Sequence, residues 1–378
     1  MRRCSPPCTA AAVAALFLAA TSPAPALVRM NDGKDQLFVN ASLTAAWDSN
    51  IFASAEGDGD FITTYGLSLD YQRRAGLIGV NATAAFDVGR FDEFNGEDFA
   101  NPNLRLELTK DAGRTTGSFT LGAQRESRAD SAVNIRTESW NYDAALNLKY
   151  PVIERYSLSG NVGYGLRDYQ DNSFLVDLET YSTAMDLFYV YTSQRDLLGG
   201  YRLRVSETSA DTTFYDHAFT LGLSGKILPK LNGTIRGGYQ FREAQGGLSD
   251  AYQSWTSAVS ATWSVNKRLT VTGQLSKDFS TTASNTSVDT FTGNVEAQYA
   301  FSAKTSVTAS VGGGINEFLG ELGAGREDTF FTYNVAFNYT MNERFRCSLG
   351  YTYFHNWSTL STSDFERHSV SLNVTSRF

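Results

Sequence analysis

The chain has 378 residues, of which 32 are basic and 40 acidic, for a net charge of −8. That balance argues against nucleic acid as a partner, since phosphate recognition needs a basic face, and the absence of any run of 18 consecutive apolar residues excludes a membrane-spanning helix. Seven prolines occur, and only Pro102, Pro151 and Pro229 lie beyond residue 26, as expected of a chain made mostly of hydrogen-bonded strand.

Arg2 and Arg3, the apolar stretch 10–20 and the small-x-small step Ala24-Pro25-Ala26 read as a secretory signal peptide, 1–26. The mature chain is then expected from Leu27, at 30 − 40 = −10 by the same count. Cys4 and Cys8 leave with the signal. Cys347 remains alone, so no internal disulfide can form.

From Leu37 onward the pattern has period two. Leu37, Val39, Ala41, Leu43, Ala45 and Trp47 share one parity, and polar residues fill the other, which is a strand with one apolar face. Similar runs follow near 61–71, 78–88, 104–108, 119–123, 140–150, 156–166, 181–191 and 201–205. The second half repeats them near 215–223, 231–241, 255–265, 269–279, 291–301, 307–315, 331–341 and 345–353. The last run is His368 to Phe378, which brings the count to 18. Connections alternate between short turns (73–75, 110–114, 151–154, 266–267, 302–304, 342–343) and longer polar loops (48–60, 89–100, 126–136, 169–178, 242–250, 316–328).

Alternation alone does not say which face is inside. Tyr71, Tyr150, Tyr156, Tyr191, Trp263, Tyr299 and Phe345 lie beside short turns on the apolar parity. Trp47, Trp140, Tyr215, Trp255, Phe279, Phe291 and Phe331 lie beside long loops. Two aromatic girdles around an aliphatic band fit a bilayer, and the Ser, Thr, Asn and Gly of the other parity fit a wetted lumen. The fold class expected is all-β: a transmembrane antiparallel up-and-down barrel of about 18 strands, with 16–20 compatible, forming one domain over 27–378.

Charges on the lumen parity are the candidate pore-lining residues: Arg105, Glu107, Asp143, Asp186, Arg202, Arg204, Arg236, Glu296 and Arg346, with Asp70 and Asp87 of the same parity. They could form a selectivity-setting ladder or cross-strand pairs of small individual worth. His217, His355 and His368 have acids near them in sequence, but no G-x-S-x-G occurs and no catalytic role is expected. Asp58-Gly59-Asp60 and Glu97-Asp98 read as solvated acidic loops, so neither a metal nor a cofactor is expected. Gly312-Gly313-Gly314 inside a strand predicts a bulge or close side-chain packing.

The step Asp48-Ser49-Asn50-Ile51-Phe52 after the first run, the signal peptide, the length and the terminal Phe378 together resemble the putative β-barrel porin family of bacterial outer-membrane proteins. The resemblance implies a barrel, membership in which is often linked to exopolysaccharide export, and it brings no catalytic motif. It also implies that Phe378 is an assembly signal, and it names as partners outer-membrane lipid, the barrel assembly machinery and polysaccharide export components. The function expected is a channel passing saccharides or exopolysaccharide across the outer membrane. A general diffusion porin, or a non-conducting adhesin or scaffold barrel, fits the same residues.

Overall fold

Strands form wherever the period-two pattern runs, and the turns between them carry the polar residues. The computed structural model describes residues 27–74, 76–170, 174–246, 251–320, 323 and 325–378, and the expected signal peptide lies outside them. The first half holds β1 (Leu27–Met30), β2 (Asp35–Asp48), β3 (Asp60–Arg73), β4 (Gly79–Phe91), β5 (Phe99–Lys110), β6 (Thr116–Asp130), β7 (Ile135–Ile153), β8 (Tyr156–Gln170) and β9 (Leu178–Thr192). The second holds β10 (Arg195–Thr208), β11 (Thr212–Leu228), β12 (Leu231–Gln245), β13 (Ala251–Ser264), β14 (Leu269–Thr281), β15 (Ser287–Ala300), β16 (Thr305–Phe318), β17 (Glu327–Thr340), β18 (Phe345–Ser358) and β19 (Phe365–Arg377).

Each strand from β2 onward pairs antiparallel with the next, and β19 pairs back onto β2 from Ser369 opposite Asp48 to Arg377 opposite Asn40. The result is a closed ring of 18 strands. Val39 and Phe378 complete it by exchanging both backbone hydrogen bonds, at 2.9 and 2.8 Å. The short β1 lies against the foot of β2, Leu27 opposite Phe38. The weak runs near 104–108 and 201–205 are full strands of 12 and 14 residues. Part of the expected loop 126–136 is also strand, because β6 reaches Asp130 and β7 restarts at Ile135.

Ion pairs identify the inner face. Arg202 on β10 meets Asp278 on β14, and Arg236 on β12 meets Asp186 on β9. Side chains on strands three or four apart can meet only across the inside of a ring. The opposite parity faces outward and is apolar: Leu67, Leu104, Val162 and Leu221 are each more than half exposed, Leu221 at 76%. Water would not tolerate such a belt on a monomer, whereas hydrocarbon requires it. The histidines sit on this outer face beside aromatic rings. The Tyr201 and Tyr351 hydroxyls share hydrogen bonds with Nδ1 of His217 and His368, each at 2.8 Å. His355 stacks on Trp357 with centroids 4.2 Å apart.

One girdle assignment is overturned. Phe279 was expected in the outer aromatic belt, but it is 2% exposed and lies in the interior. The β13–β14 ladder stops at Ser257 opposite Lys277, while β14–β15 pairing continues to Thr281 opposite Ser287. Freed from β13, the outer end of the β14–β15 hairpin leans into the barrel and takes Phe279 with it. Pairing also stops early between β5 and β6, at Asn103 opposite Gln124. The next residue outward on β5 is Pro102, which has no N–H to give to a ladder. The glycine run produces no bulge: Gly312, Gly313 and Gly314 keep continuous register with both neighbours.

The Phe378 ring packs edge-on against Phe345 at 6.3 Å. Replacing Phe378 with Ala keeps the two backbone bonds but removes that contact, at an expected cost of about 1–2 kcal/mol for a half-buried ring. Phe378→Ala is therefore expected to lower the temperature at which the barrel loses its compact gel mobility. Unchanged heat-modifiability and unchanged assembly yield would show that the terminal ring is dispensable.

Candidate functional site

The lumen wall is the candidate site, and its charges are unevenly paired. Four of the nine pore-lining candidates, Asp186, Arg202, Arg204 and Arg236, are engaged in ion pairs on the β9–β14 side. Arg202 reaches Asp278 at 2.6 Å, and Arg236 reaches Asp186 at 3.2 Å. Arg105, Glu107, Asp143, Glu296 and Arg346 are in none of the ion pairs among the described residues. All but the half-buried Glu107 are exposed to the lumen. The expected ladder therefore divides into neutralised pairs and dispersed free charges. Asp70 belongs to neither group, because its carboxylate accepts bonds from Asn40 and Thr83 at 2.6 and 2.8 Å.

The strongest polar cluster is not legible in the sequence, because Arg242 opens the expected loop 242–250 and Asp216, on the expected run 215–223, stands out only as an acid beside His217. Arg242 on β12 is 1% exposed and donates to both oxygens of Asp216 on β11, at 2.6 and 2.8 Å. Its guanidinium is flanked by the rings of Phe214 and Phe279, 4.9 and 5.3 Å from their centroids. Arg242 also donates to the Ser280 carbonyl at 2.7 Å and to the Ser287 hydroxyl at 3.1 Å. Arg204 joins Asp216, Asp278 and the Phe279 carbonyl, the last at 2.5 Å. Two arginines thus hold the leaning β14–β15 hairpin through carbonyls beyond the point where β13 stops pairing. A planar guanidinium can serve a carboxylate and a carbonyl at once, which a lysine ammonium does less well.

The outer loops continue this constriction across the mouth. The Leu319 amide donates to the Ser287 carbonyl, and the Val176 amide to the Ala283 carbonyl, each at 2.8 Å. Arg326, from the β16–β17 connection, donates to the Ala132 and Ser131 carbonyls of the β6–β7 turn at 2.8 and 3.0 Å. Asn134 of that turn exchanges hydrogen bonds with Ser363 at 3.0 and 2.9 Å. The acidic loop motifs serve the same scaffold. The Asp60 carboxylate accepts the Glu93 and Phe94 amides, and Asp98 accepts the Phe91 amide at 2.9 Å. No cluster of metal-ligating side chains occurs among the described residues.

The pentapeptide 48–52 is structural. Asp48 is chelated by Arg367 of β19, and its carboxylate also accepts the Asn50 amide at 3.0 Å. The Ser49 hydroxyl accepts the His368 amide at 2.8 Å. Asn50 and Ile51 are 1% and 0% exposed. The motif fastens the β2–β3 loop over the junction where the ring closes.

From β13 to β17 the lumen side changes character. Past Asp278, which is taken up by Arg202 and Arg204, it presents Ser260, Gln274, Thr292, Asn294, Ser310 and Asn334, with Glu296 as the charge outside the ion pairs. A cavity of about 600 Å³ opens against this wall, and Phe330 is the aromatic side chain in its lining. Hydroxyls and amides satisfy one another along the wall: Ser276 with Thr292 at 2.8 Å, and Asn334 with Ser310 at 3.1 Å.

A closed ring, an outward apolar belt and a polar, charge-bearing lumen define an outer-membrane porin-type barrel. Residues 217–378, from within β11 to the end, match the family model described as "Putative beta-barrel porin 2", and so support a β-barrel porin family; porins are channels and not enzymes. The outer membrane protein opdK from Pseudomonas aeruginosa superposes with a TM-score of 0.51 at 12% identity, covering 90% of this chain and 99% of its own. OccK2 (OpdF) from the same organism gives 0.49 at 11% identity, with 91% and 97% covered. OccAB4 from Acinetobacter baumannii gives 0.47 at 14%, with 90% and 98% covered. Likeness at these identities concerns the fold. No curated protein matches the sequence.

The Arg242 clamp generates a direct expectation. Arg242→Met removes one partner of a buried pair, at an expected cost of about 3–5 kcal/mol, and leaves the Asp216 carboxylate tied to Arg204 alone. The hairpin should then swing toward the wall. Single-channel conductance in planar bilayers is expected to rise, with noisier open states, and the barrel to unfold at lower temperature. Unaltered conductance and stability would show that the hairpin is held by other contacts.

Proposed function

We propose that this barrel is a channel that passes saccharides across the outer membrane, working with envelope components in the movement of a polysaccharide or its fragments. The observation that carries the reading is the division of the lumen. One side has its arginines neutralised by Asp186, Asp216 and Asp278. The adjoining wall, from β14 past Asp278 through β17, offers hydroxyls and amides. Such a surface solvates a neutral, hydroxyl-rich solute through many exchangeable hydrogen bonds, without a strong field to hold or repel ions. The resemblance of the sequence to a family often linked to exopolysaccharide export supports the same class of cargo.

The free lumen charges among the candidates are Arg105 and Arg346 against Glu107, Asp143 and Glu296, two of one sign and three of the other. Weak cation preference is therefore expected in a salt gradient. Arg346→Glu should increase that preference, because Arg346 forms no ion pair among the described residues that the change would disturb. Neutral mono- and disaccharides should swell liposomes containing the protein. Deletion of the gene should reduce surface polysaccharide. Liposomes that stay impermeable to neutral sugars, together with intact surface polysaccharide in the deletion strain, would sink the reading. Intact polysaccharide with slowed uptake of small solutes would favour general diffusion.

A further inference from the structure

The cavity against the β13–β17 wall has more structure than a diffusion path needs. Phe330 projects into the lumen from β17, and it is flanked by Phe354 of β18 at 5.9 Å and 22° between planes. Phe354 rests in turn against Phe365 of β19 at 5.6 Å, and Phe365 is 5% exposed. The rings therefore run from a buried anchor to a half-buried edge on the cavity. On the other side the wall is bare: a Cβ at Gly314 of β16 would meet the Phe291 carbonyl oxygen at 2.3 Å and two ring atoms of Phe330 at 2.8 Å. Glycine at this point clears the neighbouring backbone and also lets the ring lie close against the wall. Within the same cavity Gln274, Ser276, Thr292, Asn294, Ser310 and Asn334 supply donors and acceptors.

An apolar plate beside a field of neutral amides and hydroxyls matches one ligand class. A pyranose presents axial C–H groups on one face and hydroxyls around its rim. The faces of the rings bind C–H groups by dispersion and by the ring quadrupole. Asn and Gln side chains can donate to and accept from vicinal hydroxyls. The volume of about 600 Å³ lies within the range of small-molecule sites. A site for a carboxylate or phosphate would place a cation here, but the cavity lining contains no Lys or Arg.

We infer that Phe330, seated on Gly314 and braced by Phe354, forms a pyranose-binding subsite in the lumen with Asn294, Asn334 and Gln274 as its hydrogen-bonding rim. The inference rests on the saccharide-channel reading and adds to it a defined, saturable station on the path. Its ligand is a neutral sugar ring, free or within a chain.

The test uses the full-length barrel in planar bilayers, with a linear neutral hexasaccharide of glucose as the probe. Wild-type current should fall saturably as the sugar is added. Phe330→Ala should raise the half-blocking concentration about tenfold. Phe330→Trp should retain block. Equal half-blocking concentrations for wild type and Phe330→Ala, both folded by heat-modifiability, would overturn the subsite. If sugars still swell liposomes in that case, the channel reading survives without it. If the wild type admits no sugar in liposomes, the channel reading fails and the subsite with it.

Discussion

Every backbone amide in the hydrocarbon layer must find a partner, because lipid offers none. That constraint explains the ring more fully than any side chain does. A sheet of 18 strands with a free edge would leave a row of unpaired groups in the bilayer, so β19 returns to β2 and Phe378 pairs with Val39 at the last rung. The Asp48–Arg367 pair and the buried Asn50 and Ile51 then fasten the outer end of the same junction. The point where the ring closes is thus locked at both ends, by backbone at the foot and by side chains at the rim.

Where the ladder is relaxed, the structure compensates with charge. Pairing between β13 and β14 ends at Lys277, and beyond it the wall would gape. Lys277 and Asp289 form a buried pair at 2.6 Å at that place, under the ring of Trp255. The hairpin that departs from the wall is taken up inside the lumen by Arg204 and Arg242. These arginines make side-chain bonds to carbonyls past the end of the β13 ladder. Burial of Arg242 is tolerable because its donors are largely engaged and two aromatic faces flank it. The same arrangement narrows the channel and leaves the adjoining wall, with its hydroxyls and Phe330, bordering the remaining space.

Among the candidate residues, the sequence could say which lay on the lumen parity, and it could not say which were paired. Arg202 and Asp278 are separated by 76 residues, and Arg236 and Asp186 by 50. No local pattern announces partners three or four strands apart, since they meet only after the ring has closed. Arg242 and Phe279 show the harder limit. Both sit near strand ends, where alternation fades, and the bend that buries them originates in lost pairing with a neighbouring strand. Phe279 kept the apolar parity of its strand, but its environment changed from lipid to lumen.

By itself the sequence determined the period-two strands, their number, the alternation of short turns with long connections, and the outward apolar face. All of these are local or count-based, and a strand's two faces follow directly from its backbone geometry. Only the tertiary structure decided which lumen charges neutralise one another, that the β14–β15 hairpin leans inward, and that Phe330, Phe354 and Gly314 meet beside a polar cavity. Those features depend on register between strands and on the curvature of the closed ring, so a linear pattern of side chains carries no trace of them.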